Sequence, residues 1–419
     1  MARKPTRTNL SVLAQLCNLI PGFLVSRIAR QCGVDKQART FCPWSHLVAL
    51  LFAQFTHALS LNDVCDALKN HAGKLLRIRG AVAPSKNAFS HANRKRDGEM
   101  AQTLFWAILN HLTSMCPRFG GPRFGGQRFK GMPRRFKRAV YAVDSSTIQL
   151  VINCIDWARH RRRKAAAKLH MCLNLQSFLP AFAIVDTAAH NDNRRARELC
   201  AGLRMGEIAI FDKAYVAFAH LFELTKRGVF WVTRAKDNFQ CRVTKRLLKK
   251  PLGRILRDDL VVLTGSVSFG KYPEVMRRVR AIVEVDGKER VMDFLTNNLE
   301  WAASSIAGLY KSRWQIEVFF KEIKQTLQLC DFLGHNKNAV LWQVWTALIL
   351  YVLLRFLAFC NSWRHGFKRF FCLLRSSVWD GVLIASLAAL CGTAGGIAKM
   401  RAAPEQLYLP GFGPQQTQA

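Results

Sequence analysis

Apolar residues recur at helical spacing through the first quarter of the chain. The run from His46 to Phe55 is one such stretch, and Ser60 supplies an N-cap just after it. Asn87 to Leu112 continues the pattern with basic residues on the polar side. Residues 1–116 are therefore expected to form a helical N-terminal domain. From Arg138 the rhythm shortens. Ala139–Val143 reads as a strand ending at Asp144, followed by strands at Leu169–Leu175 and Ala181–Val185. A helix at Arg194–Leu203, a strand at Ile208–Phe211 ending at Asp212, a helix at Ala214–Thr225 and a strand at Val229–Thr233 complete the series. Three strands, then helix, strand, helix and strand fit an α/β sheet of mixed strand direction. Residues 239–299 are β-rich, with runs at Asp259–Thr264, Arg278–Val285 and Arg290–Leu295, the last two joined by the hairpin signal Asp286-Gly287. The chain turns helical again from Ser304 to about Cys360, and 366–419 reads as a helical region ending in a loose tail.

Composition adds a partner to this outline. Half of the 419 residues are hydrophobic, which suits two or three packed domains and excludes a disordered chain. Against 27 acids stand 63 Lys and Arg, a net charge of +36. So large an excess repels itself unless a polyanion neutralises it. Nucleic acid is the first such partner and an anionic membrane surface the second. The membrane is the weaker reading. The apolar segment Trp345–Cys360 is shorter than the ~20 residues a span needs and contains Arg355, so it is expected as a buried core helix. No cleavable leader is legible before Arg27 and Arg30, and thirteen scattered cysteines without a CxxC pair suit a reducing cytoplasm. Residues 117–138 hold a quasi-repeat, Pro117-Arg-Phe-Gly-Gly, Pro122-Arg-Phe-Gly-Gly and Gln127-Arg-Phe-Lys-Gly, expected as a basic linker.

Acids this scarce are informative where they do occur. Asp144 and Asp212 each follow a hydrophobic strand, and the ends of such strands border the ligand crevice of an α/β sheet. Taken singly, either is as well explained by a turn or a helix cap. A third acid changes the weighing. Tyr310, Arg313, Glu317 and Lys324 stand at offsets 0, 3, 7 and 14, which at about 100° per residue share one helix face. A phenol, a guanidinium and an ammonium around a carboxylate suit phosphate binding beside a metal. The cluster Arg159-His-Arg161-Arg162-Arg163-Lys164 is a further candidate for the DNA backbone. His46, His170, His190 and His220 lack metal-ligand spacing and are expected as core or loop residues, and Trp231 and Trp301 as core.

The spacing Tyr310-x2-Arg313-x3-Glu317-x6-Lys324 resembles the signature of the Tyr-Arg-Glu-Lys group of DDE transposases, the bacterial insertion-sequence family numbered four. Asp144 in Val-Asp-Ser-Ser-Thr-Ile and Asp212 in Phe-Asp-Lys-Ala-Tyr215 look like that family's two Asp blocks. Lys168-Leu-His170 and Phe332-Leu-Gly334 resemble its flanking segments. Ala165 and Ala217 depart from the pattern, where many relatives carry Gly and an acid. The resemblance implies an RNase H-like catalytic core over 139–238 and 300–365, interrupted by a β-rich insertion over 239–299. It also implies a catalytic and metal-binding triad of Asp144, Asp212 and Glu317 holding two Mg²⁺ ions, with Mn²⁺ as a substitute. Tyr310, Arg313 and Lys324 would contact phosphates. The implied activity is cleavage and strand transfer of double-stranded DNA at terminal inverted repeats, by a homodimer, in the bacterial cytoplasm at the nucleoid. A catalytically inactive DNA-binding relative is the alternative.

Overall fold

The computed structural model describes residues 4–34, 40–121, 132–150, 154, 158–161, 164–187, 192–285, 287–329 and 332–391. Strands β1 (Val140–Leu150), β2 (Arg159–Arg161), β3 (Lys164–Asn174) and β4 (Pro180–Thr187) pair antiparallel, β3 against each of the other three. Strand β5 (Ile208–Phe211) then lies parallel to β1, and β6 (Phe230–Arg234) parallel to β5. A parallel neighbour is out of reach of a tight turn, so the helices Asp192–Leu199 and Phe218–Lys226 fill the connections before β5 and β6. The resulting order is β4–β3–β1–β5–β6. All four residues of β5 are buried, as a parallel strand covered on both faces requires.

Two expectations need correction. The first strand does not end at Asp144 but runs on to Leu150. The polar stretch Asp144-Ser-Ser-Thr147 has the composition of a turn, yet β3 begins early, at Lys164, and pairs with it continuously from Tyr141↔Asn174 to Leu150↔Ala165. The expected helix Ala214–Thr225 is split into a 3₁₀ turn, Lys213–Tyr215, and the α-helix Phe218–Lys226.

Four more strands extend the same sheet: β7 (Cys241–Arg246), β8 (Ile255–Leu263), β9 (Met276–Val285) and β10 (Lys288–Thr296). Strand β10 pairs with β6, and β9, β8 and β7 continue antiparallel to the edge. Gly287 turns the β9–β10 hairpin with φ +72°, a conformation glycine adopts without strain, while Asp286 lies outside the described residues. Strand β7 escaped the sequence pattern because Cys-Arg-Val-Thr-Lys-Arg is an exposed edge without an apolar run. Arginines hold this region together. Arg277 takes both oxygens of buried Asp258 at 2.7 and 2.6 Å, and its other nitrogen donates to the carbonyls of Leu299 and Trp301. Arg278–Asp259 and Arg280–Asp293 repeat the pairing at 2.8 and 2.7 Å.

The helices surround Lys337–Cys360, a helix longer than the segment expected from 345. Asn336 caps it, and Trp342, Trp345 and Tyr351 are buried along it. It is long and apolar enough to cross a membrane, but 89% of its apolar window is buried against protein. Pro43–Thr56, Lys86–Lys95 and Gly98–Met115 pack on it. Ser60 caps Leu61–Asn70 as expected, with Asp63 returning the bond. Within the expected linker, Pro117–Gly120 is a helical turn whose Phe119 is buried against Phe356 and Phe359, and residues 122–131 lie outside the described residues. The described cysteines are all free thiols. Trp231 is fully buried, and Trp301 packs between Phe136 and Phe230.

His46 gives this helical core a pH signature. It is fully buried among Phe41, Phe89 and Trp342 and hydrogen-bonded to Asn93 at 2.8 Å. Burial, with Arg96 adding to it, holds the imidazole down to about 3. From pH 6.5 down to about 3 the unfolded chain therefore takes up a proton that the native state refuses, and stability falls with pH. The stability difference between wild type and His46→Gln, read from urea unfolding, should shrink by about 1.4 kcal/mol per pH unit in that window. Parallel curves would show that His46 is protonated in the fold.

Candidate active site

The parallel pairing of β1 and β5 brings the first two acids to one edge. The last pair of that register is Val143↔Phe211, so Asp144 and Asp212 are the next residues of neighbouring strands, whose backbones lie about 4.8 Å apart. Asp212 leaves the sheet at the start of the 3₁₀ turn. Asp144 stays in β1, at the level where β5 has ended and no longer covers that flank. A crevice at the carboxyl ends of parallel strands is where α/β sheets place ligands.

The third acid arrives on a helix. Ala303–Ser312 and Trp314–Lys321 run almost end to end, joined at Arg313, whose own backbone is helical at φ −52° and ψ −36°. Ile306, Leu309, Ile316 and Phe319 bury one face. The neighbouring stripe then presents Tyr310, Arg313 and Glu317 to the strand ends. Arg313 donates one Nη to Asp144 at 2.6 Å and the other to Glu317 at 3.0 Å. The Tyr310 hydroxyl donates to Asp212 at 3.3 Å. Asp144 and Glu317, 173 positions apart, thus meet on one guanidinium, while Asp212 is held by a phenol 98 positions on.

Electrostatics derive from that packing. Burial pushes the Asp144 carboxyl up to about 6, with Asp212 and Glu317 raising it further while Arg313 and the Ser145 N–H pull it down. Burial and then Asp212 push the Tyr310 phenol up to about 12, so it remains a donor. Burial works against the charge on Arg313, but Asp144, Tyr310, Asp212 and Glu317 together hold it above the ordinary arginine range.

The structure separates one member of the expected stripe from the rest. Lys324 lies in a π-helical turn, Glu322–Thr326, and its ammonium donates to the Thr147 carbonyl on β1 instead of facing the three acids. A π turn holds more than 3.6 residues, so residues within and beyond it are rotated away from an unbroken α-helical stripe. Burial lowers the Lys324 pKa. Of the basic cluster, Arg162 and Arg163 lie outside the described residues, as do the side chains of Arg161 and Lys164. The composition also missed a brace: His170, opposite Ser145 on β3, meets the Tyr215 hydroxyl at 3.3 Å beneath the Asp212 turn. Both residues stand in segments that the sequence singled out, Lys168-Leu-His170 and Phe-Asp-Lys-Ala-Tyr215, but their pairing did not show there.

The donor chemistry suits a divalent ion. Two aspartates and a glutamate are hard oxygen donors, and two of them already converge on one cation. As the side chains stand, no three His, Cys, Asp or Glu among the described residues are gathered closely enough to hold a metal, because the guanidinium lies between Asp144 and Glu317. Loading would require Arg313 to yield at least one carboxylate.

The transposase DDE domain matches residues 135–353, and a domain of unknown function, DUF4372, matches residues 8–78. The chain is 30% identical over 310 residues to the putative transposase y4zB of Sinorhizobium fredii, covering 73% of this chain and 81% of that one. It is 30% identical over 225 residues to the probable transposase for insertion sequence element IS5377 of Geobacillus stearothermophilus, covering 53% and 58%. Transposase InsG for insertion sequence element IS4 of Escherichia coli is 26% identical over 193 residues, covering 44% and 42%. Among solved structures, a piggyBac transposase synaptic complex with hairpin DNA aligns over 95% of this chain and 86% of that one, with a TM-score of 0.43 and 11% identity. Proteins with the DDE domain generally use divalent metal ions. The chain belongs to the DDE transposases of the IS4 family of insertion sequences, enzymes that cut DNA and transfer the cut strand.

Proposed function

We propose that this chain is the transposase of a bacterial insertion sequence, cutting double-stranded DNA at terminal inverted repeats and joining the freed ends to a target. Asp144, Asp212 and Glu317 are its catalytic acids. The observation that carries the reading is the shared guanidinium: acids from a strand and a helix 173 positions apart meet on Arg313, with Asp212 one strand away. In this reading β1, β3–β6 and the helices after residue 300 are the RNase H-like core, strands β7–β10 the insertion, and the helices before 116 the DNA-binding part. The protein acts as a homodimer, one subunit for each end, in the cytoplasm at the nucleoid.

The three carboxylates would hold two Mg²⁺ ions, or Mn²⁺, which supply an activated oxygen nucleophile and charge stabilisation at the leaving oxygen. The protein's own groups do the rest. Water and then a 3′-hydroxyl serve as nucleophiles, so no side chain has to form a covalent bond. Arg313 Nε is buried and lacks a hydrogen-bond partner among the described residues, a donor left over for a phosphate oxygen. Its planar fork suits that contact better than a lysine would. Tyr310 keeps its proton and fixes Asp212, so the second acid cannot swing away as DNA enters.

The test is single-turnover cleavage of an end-labelled duplex of the DNA flanking the coding sequence, with Mg²⁺ or with chelator. Asp144→Asn, Asp212→Asn and Glu317→Gln should each lose cleavage by on the order of 10³-fold or more while still binding the duplex. Cleavage that survives Asp144→Asn, or that persists in chelator, removes the triad. A wild-type chain that binds but does not cut is the inactive relative. Arg313→Lys keeps the charge but cannot fork between two carboxylates. It should leave the salt dependence of DNA binding unchanged and slow cleavage by about tenfold or more. A wild-type rate would take Arg313 out of the site.

A further inference from the structure

Arg355 is a charged residue in an apolar helix, away from the three acids. It lies in Lys337–Cys360, 4% exposed, between Leu354 and Phe356. Removing a guanidinium from water is costly, and even a well-matched buried ion pair seldom stabilises a fold more than apolar residues of the same size. A leucine or methionine would serve the core as well. Stability is therefore a poor reason for an arginine at this position.

Its contacts point elsewhere. Arg355 donates to Glu322 at 3.1 Å and to the Tyr351 hydroxyl at 2.9 Å. Its guanidinium is flanked by the rings of Phe178, Tyr351 and Phe367, each just over 5 Å away. Tyr351 donates its own proton to the carbonyl of Phe178, a non-glycine residue held at φ +59° in the turn between β3 and β4. Glu322 is the first residue of the π turn, five positions after Glu317 and two before Lys324. The far end of that turn is held as well. The Thr326 carbonyl meets His57 at 3.0 Å, and the Leu327 carbonyl accepts from Gln54. His57 is itself oriented by Arg375 at 2.8 Å. A π turn interrupts a helix, and this one is gripped at both ends by polar side chains, of which Arg355 and Gln54 are buried in the core.

We propose that Arg355 is a positioning residue for strand cleavage: its pair with Glu322 fixes the π turn, and so the aim of Glu317 and the hold of Lys324 on the Thr147 carbonyl of β1. The same network ends at the turn of β3, the strand paired with the one bearing Asp144, so it ties the helical half of the site to the sheet half. The inference rests on the triad reading. It assigns no contact with DNA to Arg355. Its effect should appear in the rate of the chemical step and not in DNA affinity, because Glu317 would be misdirected and the hold of Lys324 on β1 loosened while the basic surface is untouched.

The variant to make is Glu322→Leu with Arg355→Met, which removes both charges and leaves neither one buried alone. In the full-length chain it should keep a cooperative thermal transition and bind the flanking duplex with a Kd within about twofold of wild type, yet cleave it about tenfold slower or worse in single turnover. A loss of folded protein would lower the amplitude of that reaction, whereas a displaced π turn lowers its rate. Lys324→Ala should slow the wild type by releasing the Thr147 carbonyl of β1, and should add less than about twofold in this background, where that hold is already loosened. If the double variant does not fold, Glu322→Gln carries the same test, with a slower rate at unchanged Kd expected. A folded variant of either kind that cleaves at the wild-type rate overturns the proposal. Asp144→Asn runs beside them: if it too cleaves normally, the triad reading has failed; if it is dead while the pair variant is normal, only the role of Arg355 has.

Discussion

Gathering carboxylates costs energy, and the site is organised around that cost. Asp144 is half-buried, and its pKa is raised by burial and then by Asp212 and Glu317. Two anions a few ångströms apart in a poorly solvated crevice repel each other by more than a fold can readily tolerate unless a cation stands between them. Arg313 is that cation in the protein itself. A guanidinium is suited to the task because its two terminal nitrogens reach separate acceptors without losing planarity, and because no accessible pH removes its charge.

The fold meets this demand with two independent devices. One is the parallel pair β1 and β5, which aligns Asp144 with Asp212 by backbone register alone, with no side-chain contact needed. The other is the helix from Ala303 onward, whose apolar face fixes its rotation and therefore where Tyr310, Arg313 and Glu317 point. Arg277 joins the two regions. By taking the carbonyls of Leu299 and Trp301 while paired to Asp258, it fixes the chain just before that helix begins. Strands β7–β10 are thus a continuation of the sheet that delivers the third acid at a defined height, and more than an appendage.

The range of the forces involved decides which features are legible in the sequence. Short apolar runs announced β5 and β6, and the polar stripe of Tyr310, Arg313 and Glu317 announced a shared face, because both are encoded within a few residues. The continuation of β1 past Asp144 was hidden, since Asp-Ser-Ser-Thr becomes a strand only when β3 lies beside it. Edge strand β7 was hidden for the opposite reason, having no buried face to imprint an alternation. The π turn at Glu322 was invisible in principle from local spacing. It depends on Arg355, 33 positions on, and on Gln54 and His57, some 270 positions back. Counting offsets at α-helical pitch therefore placed Lys324 with the acids, when the structure turns it toward Thr147.

The scarcity of acids takes on a sharper meaning once their partners are known. Asp258, Asp259, Asp293 and Glu322 are each committed to an arginine inside the fold. Every such pair leaves the net charge of +36 unchanged but withdraws an anion from the surface. The field that an approaching duplex meets is then set by basic residues with few acids among them. Such a field raises encounter rates and releases counterions from the phosphates, without sequence preference. At the crevice the sign reverses, where the proposed triad of Asp144, Asp212 and Glu317 would repel an approaching phosphate. A cation is needed at that point, and Arg313, which holds two of the acids together, is placed to ease the conflict between a basic binding surface and an acidic crevice.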